Sequence, residues 1–199
     1  MRILIFDTET TGLPKYRKSA KEQAENWPHI VSISWVLLEN NTVVSKHSYI
    51  VKPNKWNISA ESIAIHGITN ENAIENGHDL EFVMNEFISE KYDLMLAHNL
   101  DFDENVLVNA IYWDLGRKNF LEFPLQKKCT MNVAKNMCRL PFKSGLGYKS
   151  PKLSELYFHV FKAPPVSENL HNSMYDTEIL VKILQGSEEL RERLGIQKL

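Results

Sequence analysis

The sequence predicts an α/β fold: a mixed five-stranded sheet flanked by helices, with the first strand central. Three observations predict it. Three apolar or β-branched runs succeed one another between Arg2 and Val51, separated only by a charged loop and an Asn-Asn turn. Beyond them, segments of helical periodicity alternate with two short strand-like runs, Leu94–Ala97 and Lys127–Thr130. The first run, Ile3-Leu4-Ile5-Phe6, is apolar at every alternating position, as a strand covered on both faces is.

The elements follow in order. Strand one is Arg2–Thr8, and Thr-Thr-Gly at 10–12 breaks it. Pro14–Pro28 is a charged, solvated loop in which Lys15, Arg17, Lys18 and Lys21 face Glu22 and Glu25. Ile30–Glu39 is a strand, Asn40-Asn41 turns the chain, and Thr42–Val51 returns, giving an antiparallel meander. After a loop at Pro53–Trp56, a short helix spans Ser59–Ile65 and His66-Gly67-Ile68-Thr69 stops it. Thr69 or Asn70 can cap the turn that follows. Asp79–Glu90 has apolar residues at helical spacing, and Leu94–Ala97 is a strand. Asp101–Leu115 is a helix ended by Gly116. Lys127–Thr130 is the fifth strand, and helices follow at Met131–Arg139, Pro151–Phe161 and His171–Gln185. A Gly-containing loop spans Pro141–Ser150, Ala163-Pro164-Pro165 is a break, and the tail after Gly186 is short and charged. No repeat, low-complexity segment or linker divides the chain, so residues 1–199 read as a single domain.

Composition narrows the function classes. At 199 residues, 43% hydrophobic and 24% charged, the chain is an ordinary globular one. A net charge of −2 and a pI near 6.4 mean that any nucleic-acid contact must come from local charge. Two cysteines, Cys129 and Cys138, make neither a disulfide framework nor a C-x-x-C metal site. Nothing reads as a signal peptide or a membrane span, so the expected location is cytoplasmic, away from membranes.

Three constellations carry chemistry. Asp7 and Glu9 are two residues apart, so a strand points both acids to one face. Two like charges that close raise a pKa unless a cation sits between them, and a hard divalent ion is the natural remedy. Alone, D-x-E also fits one acid in solvent and the other at a turn. Ala97–Asp103, AHNLDFD, lies where a strand passes into a helix, a common place for site residues. Either Asp101 or Asp103 also suits a helix N-terminus. His171–Asp176, HNSMYD, is the third. Five residues of regular helix turn about 140° past a full revolution. His171 and Asp176 therefore share a site only if His171 precedes the helix, which the Pro-Pro break and Ser167–Asn169 permit. Ser173-x-x-Asp176 also fits a cap without a chemical role.

D-x-E-T-T-G-L, H-N-x-x-F-D and H-x-S-x-x-D, in this order, resemble the DEDDh 3′–5′ exonucleases, the superfamily of the polymerase III epsilon subunit and RNase T. The likeness spans Ile3 to about Leu184 and includes Glu61-x-x-x-x-His66-Gly-Ile-Thr. It implies a ribonuclease-H-like fold and a 3′–5′ exonuclease releasing nucleoside 5′-monophosphates, with DNA favoured. The acids carried over are Asp7, Glu9, Asp103 and Asp176, with His171 as general base; Phe102 before Asp103 selects it over Asp101. The resemblance implies two Mg²⁺ ions, Mn²⁺ substituting. Asp7 would bridge both, Glu9 and Asp176 would hold the water-activating ion, and Asp103 would hold the other. An imidazole suits proton removal because it ordinarily titrates near pH 6.5. Substrate contacts implied are Thr10 to Leu13, with Leu13 a wedge against the terminal base, Glu61 and His66 near the terminal sugar, and Asn99. Ser173 stands where the family usually has Ala, and Thr10-Thr11 argues against the branch that trims very short RNA.

The implied partner is a single-stranded 3′ end, with a DNA polymerase as a candidate second partner. A stand-alone trimming or repair enzyme is preferred to polymerase-bound proofreading. Between Glu122 and Glu155 no acid occurs, while Lys127, Lys128, Lys135, Arg139, Lys143, Lys149 and Lys152 do, with Phe142 and Tyr148 interleaved. Such a run suits phosphates and stacked bases. Two other readings compete. A non-catalytic nucleic-acid-binding module would have lost an acid or the histidine, and none is missing. A small-nucleotide phosphohydrolase would act on mononucleotide esters and not on polymer.

Overall fold

A computed structural model describes residues 1–199 except 17, 24, 121–122, 124–125, 167–169 and 197–199. Arg17, Glu122 and the Ser167–Asn169 stretch, all used above, lie outside the described residues. Five strands, β1 (Arg2–Thr10), β2 (Ile30–Glu39), β3 (Thr42–Ile50), β4 (Leu94–Ala97) and β5 (Lys127–Cys129), form one sheet in the order β3-β2-β1-β4-β5. β1 pairs antiparallel with β2 and parallel with β4, and β4 is parallel to β5. The expected mixed sheet, central first strand and meander are all present.

Among the described residues eight α-helices flank it: α1 (Ala60–His66), α2 (Asn70–Asn76), α3 (Leu80–Ser89), α4 (Leu100–Asn109), α5 (Thr130–Cys138), α6 (Leu153–Phe161), α7 (Ser173–Gly186) and α8 (Glu188–Arg193). Alternation along β1 divides the core. Leu4 and Phe6 pack with Phe87 of α3 and Val106 and Leu107 of α4. Ile3 and Ile5 pack with Leu156 of α6 and Ile179, Leu180 and Ile183 of α7. β1 is thus buried on both faces, which its unbroken apolar run requires. Among the described residues no helix is long and apolar enough to cross a membrane.

Several boundaries differ from the sequence reading for local reasons. β1 runs two residues further, because Thr8 and Glu9 keep pairing with Ile33 and Ser32 of β2; the irregularity falls only between Glu9 and Thr10. α2 is a full helix, not a capped turn. Thr69 caps it by accepting from Asn72 N at 3.1 Å, and Ala73 is its one buried residue, too little for periodicity to reveal. α4 stops at Asn109, and Ala110–Asp114 continues as a π-helical turn in which Leu115 N bonds to Ala110 O at 2.9 Å. α6 begins at Leu153, two residues after Pro151, with Glu155 accepting from Lys152 N at 2.8 Å.

The 14–28 segment is the solvent-facing charged loop expected, and its backbone is anchored in a way the sequence did not show. Buried Asn26 accepts from Tyr16 N at 2.8 Å, and its amide donates to the carbonyls of Tyr16 and Lys18. Trp113 donates to Ala20 O at 2.7 Å, and Asn105 accepts from Ala20 N at 2.8 Å. Ala20 and Trp27 are buried, so the described charges face solvent while the backbone is bolted to α4 and to the π-helical turn beyond it.

Ser173 also has a structural account. Its buried hydroxyl lies 2.8 Å from Ser34 Oγ and 3.1 Å from Ser32 Oγ, and Ser34 Oγ is 2.9 Å from Ser48 Oγ. This chain of hydroxyls fastens the first turn of α7, and hence Asp176, to β2. Ser173→Ala is expected to lower the melting temperature by roughly 2–4 °C, about one net hydrogen bond. A Ser34→Ala/Ser173→Ala double variant is expected to lose less than the two single losses summed, by thermal melting.

Candidate active site

Asp7 and Glu9 leave β1 on the face that Ile3 and Ile5 share, toward α7. Asp176 lies in the first turn of α7, whose N-cap Asn172 accepts from Tyr175 N at 3.1 Å. One carboxylate oxygen from each of Asp7, Glu9 and Asp176 lies within 4.8 Å of the others. Asp103 approaches from α4 on the opposite side of the sheet. It is 3% exposed and accepts from Thr8 Oγ1 at 2.7 Å and Thr8 N at 3.2 Å. Thr8, between the two acids of β1, thus orients the fourth; the sequence reading gave it no role. Asp101 is exposed, one position off the inward-facing side of α4.

These acids burden one another. Burial, then Asp103, Glu9 and Asp176, hold the Asp7 carboxyl well above the usual range, although part of its surface stays open to solvent. Burial with Asp176 and Asp103 pushes Glu9 up to about 8. Burial raises Asp103 to about 7 against the two bonds from Thr8. Asp176 rises to about 6 through burial, opposed by the His171 N–H and the nearby His171 charge. Asp176 Oδ1 is buried without a hydrogen-bond partner among the described residues. Crowded oxygens, raised carboxyls and an unpartnered buried oxygen fit a hard divalent cation, and the donor set is all oxygen.

His171 precedes α7, as sharing a site with Asp176 requires. It adopts a left-handed conformation, φ 66°, is exposed, and its N–H donates to Asp176 Oδ2 at 3.2 Å. His171 and His66 line one cavity of about 470 Å³ together with Tyr175. His66 Nδ1 accepts from Ile68 N at 3.1 Å, and its Nε2 is buried without a partner among the described residues. Burial lowers its pKa, with the Thr10 backbone opposing. Thr10 is buried, its hydroxyl donating to Gly12 O at 2.7 Å. Leu13 stands 80% exposed beside the turn. Asn99, at φ 80°, borders a cavity with Leu13 and Phe102. Glu61 is exposed in the first turn of α1, five residues before His66.

His98, the histidine of the H-N-x-x-F-D motif and given no role of its own in the sequence reading, is a brace. Its Nε2 donates to Pro151 O at 3.0 Å, and Thr130 Oγ1 lies 3.1 Å from Nδ1. Burial holds it down to about 4, so it stays neutral. Its partners join the end of β4 to the base of the 141–148 hairpin, where Pro141 bridges to Tyr148. Phe142, Leu146 and Tyr148 are exposed there beside exposed Lys143. The basic run is smaller than its composition suggests, because Lys127 pairs with Glu104, Lys149 with Glu155, and Lys128 donates to Leu194 O.

A family model described as exonuclease, RNase_T, matches residues 4–184. The chain belongs to the RNase_T exonuclease family. This family member is 26% identical over 182 residues to a PolC-type DNA polymerase III of Mycoplasmopsis pulmonis (strain UAB CTIP), covering 90% of the chain and 11% of the polymerase. It is 28% identical over 156 residues to the 3′-5′ exonuclease DinG of Bacillus subtilis (strain 168), covering 77% of the chain and 15% of DinG. The chain thus spans less than a fifth of either curated relative. The fold is shared with Exonuclease X in complex with 5′ overhanging duplex DNA, at TM-score 0.56 and 24% identity over 97% of this chain and 99% of that one. It is shared with E. coli Exonuclease I in complex with a dA16 oligonucleotide, at TM-score 0.69 and 18% identity over 97% and 42%.

Proposed function

We propose that the chain hydrolyses nucleic acid from its 3′ end, releasing nucleoside 5′-monophosphates, and that DNA is the preferred polymer. One observation carries the reading: three carboxylates share one small space, Asp103 faces them through Thr8, and Asp176 Oδ1 lacks a partner among the described residues. Asp7, Glu9 and Asp176 would hold one divalent ion, and Asp7 and Asp103 a second, Mg²⁺ or Mn²⁺. Bound, such a pair supplies an activated water and neutralises charge on the phosphate and leaving oxygen.

The rest falls to the chain's own side chains. His171, on its left-handed turn beside Asp176, takes the proton from the attacking water. Leu13 packs against the terminal base, His66 and Glu61 meet the terminal sugar, and Thr10 and Asn99 shape the end pocket. Strand passage over the 141–148 hairpin would use Phe142 and Tyr148 for stacking and Lys143 for phosphate. Residues 1–199 act as one exonuclease domain. The DNA-bound structural relatives favour DNA, and the PolC-type relative makes polymerase-linked proofreading the alternative to independent trimming.

The test is a gel assay with 5′-labelled single-stranded DNA and RNA of one sequence. A ladder shortening from the 3′ end with Mg²⁺, absent with EDTA, is expected, and faster loss of the DNA. No shortening of either polymer with Mg²⁺ or Mn²⁺ would overturn the reading.

A further inference from the structure

A cavity of about 640 Å³ opens on the α4 side of the sheet, against the Thr11–Leu13 turn, and none of the four acids lines it. Its walls include His29 and Trp27 at the end of the 14–28 loop, Trp56 after β3, and Asn109, Trp113 and Asp114 at the end of α4. Its size is that of a small-molecule site.

Three features mark it as built. Asn109 is 2% exposed, and its amide oxygen has no partner among the described residues. A buried orphan acceptor costs stability and is kept where something else needs it. The π-helical turn Ala110–Asp114, a rare form concentrated at functional sites, carries Trp113 and Asp114 to the wall. His29 is held at three points, with part of its ring open to solvent. Its Nδ1 lies 2.9 Å from Asp114 Oδ2, its ring is parallel to Trp56 within 6° at 5.2 Å, and its backbone exchanges two 3.1 Å hydrogen bonds with Thr11. The wall is therefore joined mechanically to the turn that follows Glu9.

The lining describes its ligand. Trp27 is buried against Phe102, and the Trp113 ring is covered by Lys118 and Tyr112, so half-buried Trp56, with one face on His29, offers the flat surface left for stacking. A buried amide and a carboxylate suit the polar edge of a heterocycle. Lys15 and Lys55 also border the cavity and suit a phosphate. Flat ring, polar edge and attached anion together describe a nucleotide unit. We propose that this cavity receives an unpaired nucleobase of the same nucleic acid whose 3′ end lies at the acids, stacked on Trp56 with its edge toward Asn109. The inference rests on the exonuclease reading for its substrate class and adds a second point of grip across Leu13.

The test uses the full chain in EDTA, so that binding is read without hydrolysis. Single-stranded oligonucleotides carry 2-aminopurine at successive positions from the 3′ end. Fluorescence quenching confined to a position upstream of the 3′ terminus is expected. Trp56→Leu restores that fluorescence and weakens binding roughly tenfold, while Trp56→Phe keeps both. Asn109→Leu weakens binding while the melting temperature holds or rises, which a merely structural amide would not produce. Unchanged affinity in Trp56→Leu and Asn109→Leu, or no binding by the wild type, overturns the proposal. Trp56-dependent quenching of free 2-aminopurine nucleoside monophosphate, without any in the polymer, overturns it in favour of a free-nucleotide site. Failure of the gel assay alone leaves this binding result standing, so the two readings fail separately.

Discussion

Asp7→Asn is expected to abolish hydrolysis and to make the metal-free protein more stable. The substitution keeps shape and removes one charge from the centre of the cluster, where Asp103, Glu9 and Asp176 all press on it. As the residue proposed to hold both ions, Asp7 is worth several kcal/mol of transition-state stabilisation, so a rate loss on the order of 10³-fold or more is expected. The stability gain follows from linkage. Each of the four carboxyls has a folded pKa above its unfolded value, so the folded chain holds protons that the unfolded chain has already lost. Their contribution is full below the unfolded values near 4 and is lost as pH rises, through about 6 for Asp176, 7 for Asp103 and 8 for Glu9. In EDTA the wild type should therefore melt lower at pH 8 than at pH 6.5, above the range in which His98 and His66, both lowered by burial, act in the opposite sense, and Asp7→Asn should flatten that slope. Glu155, whose bonds from Lys149 and Lys152 hold it low despite its burial, acts oppositely only at more acid pH. Saturating Mg²⁺ or Mn²⁺ should raise the wild-type melting temperature at pH 8 by roughly 5–10 °C and leave Asp7→Asn nearly unmoved. Equal metal-dependent shifts in both proteins would sink the assignment.

That the same four acids depress stability and serve the proposed chemistry explains which parts of this chain could be read from sequence. Local geometry was legible. A strand puts residues two apart on one face, so Asp7 and Glu9 had to meet, and they do. Helix rotation let His171 and Asp176 share a site only if His171 preceded the helix; the periodicity began that helix at His171, and the structure begins it at Ser173. The central place of β1 followed from its being apolar at both alternating positions. What stayed hidden depends on distant partners. Asn26 reads as one more polar loop residue, and only the fold reveals that it staples the loop carrying Trp27. Lys127 and Lys149 count as free charge until Glu104 and Glu155 arrive beside them. The π-helical turn at Ala110 leaves no mark in periodicity, because one extra residue in a turn shifts the apolar pattern no more than ordinary irregularity does. Ser173 looked like a neutral replacement for Ala, and its meaning lies in Ser32 and Ser34 on another element.

His171→Ala separates the proposed proton transfer from the fold. The residue is exposed, and its one hydrogen bond among the described residues, to Asp176 Oδ2, is made by its backbone N–H, which alanine retains. Truncation should therefore change the melting temperature little and leave oligonucleotide affinity in EDTA intact. Loss of a general base costs roughly 10²–10⁴-fold in rate, so 3′ shortening should fall by that factor with KM nearly constant. The left-handed backbone adds a confounder, since alanine tolerates φ 66° less well than asparagine does. His171→Asn removes it: asparagine suits that conformation and cannot act as a base, so it should fold at least as well as His171→Ala and be as inactive. Added imidazole should restore part of the rate to His171→Ala, where a space is left, and less to His171→Asn. Full activity in His171→Asn would show that the turn needs only its backbone shape, and the proton would then have to leave by another route.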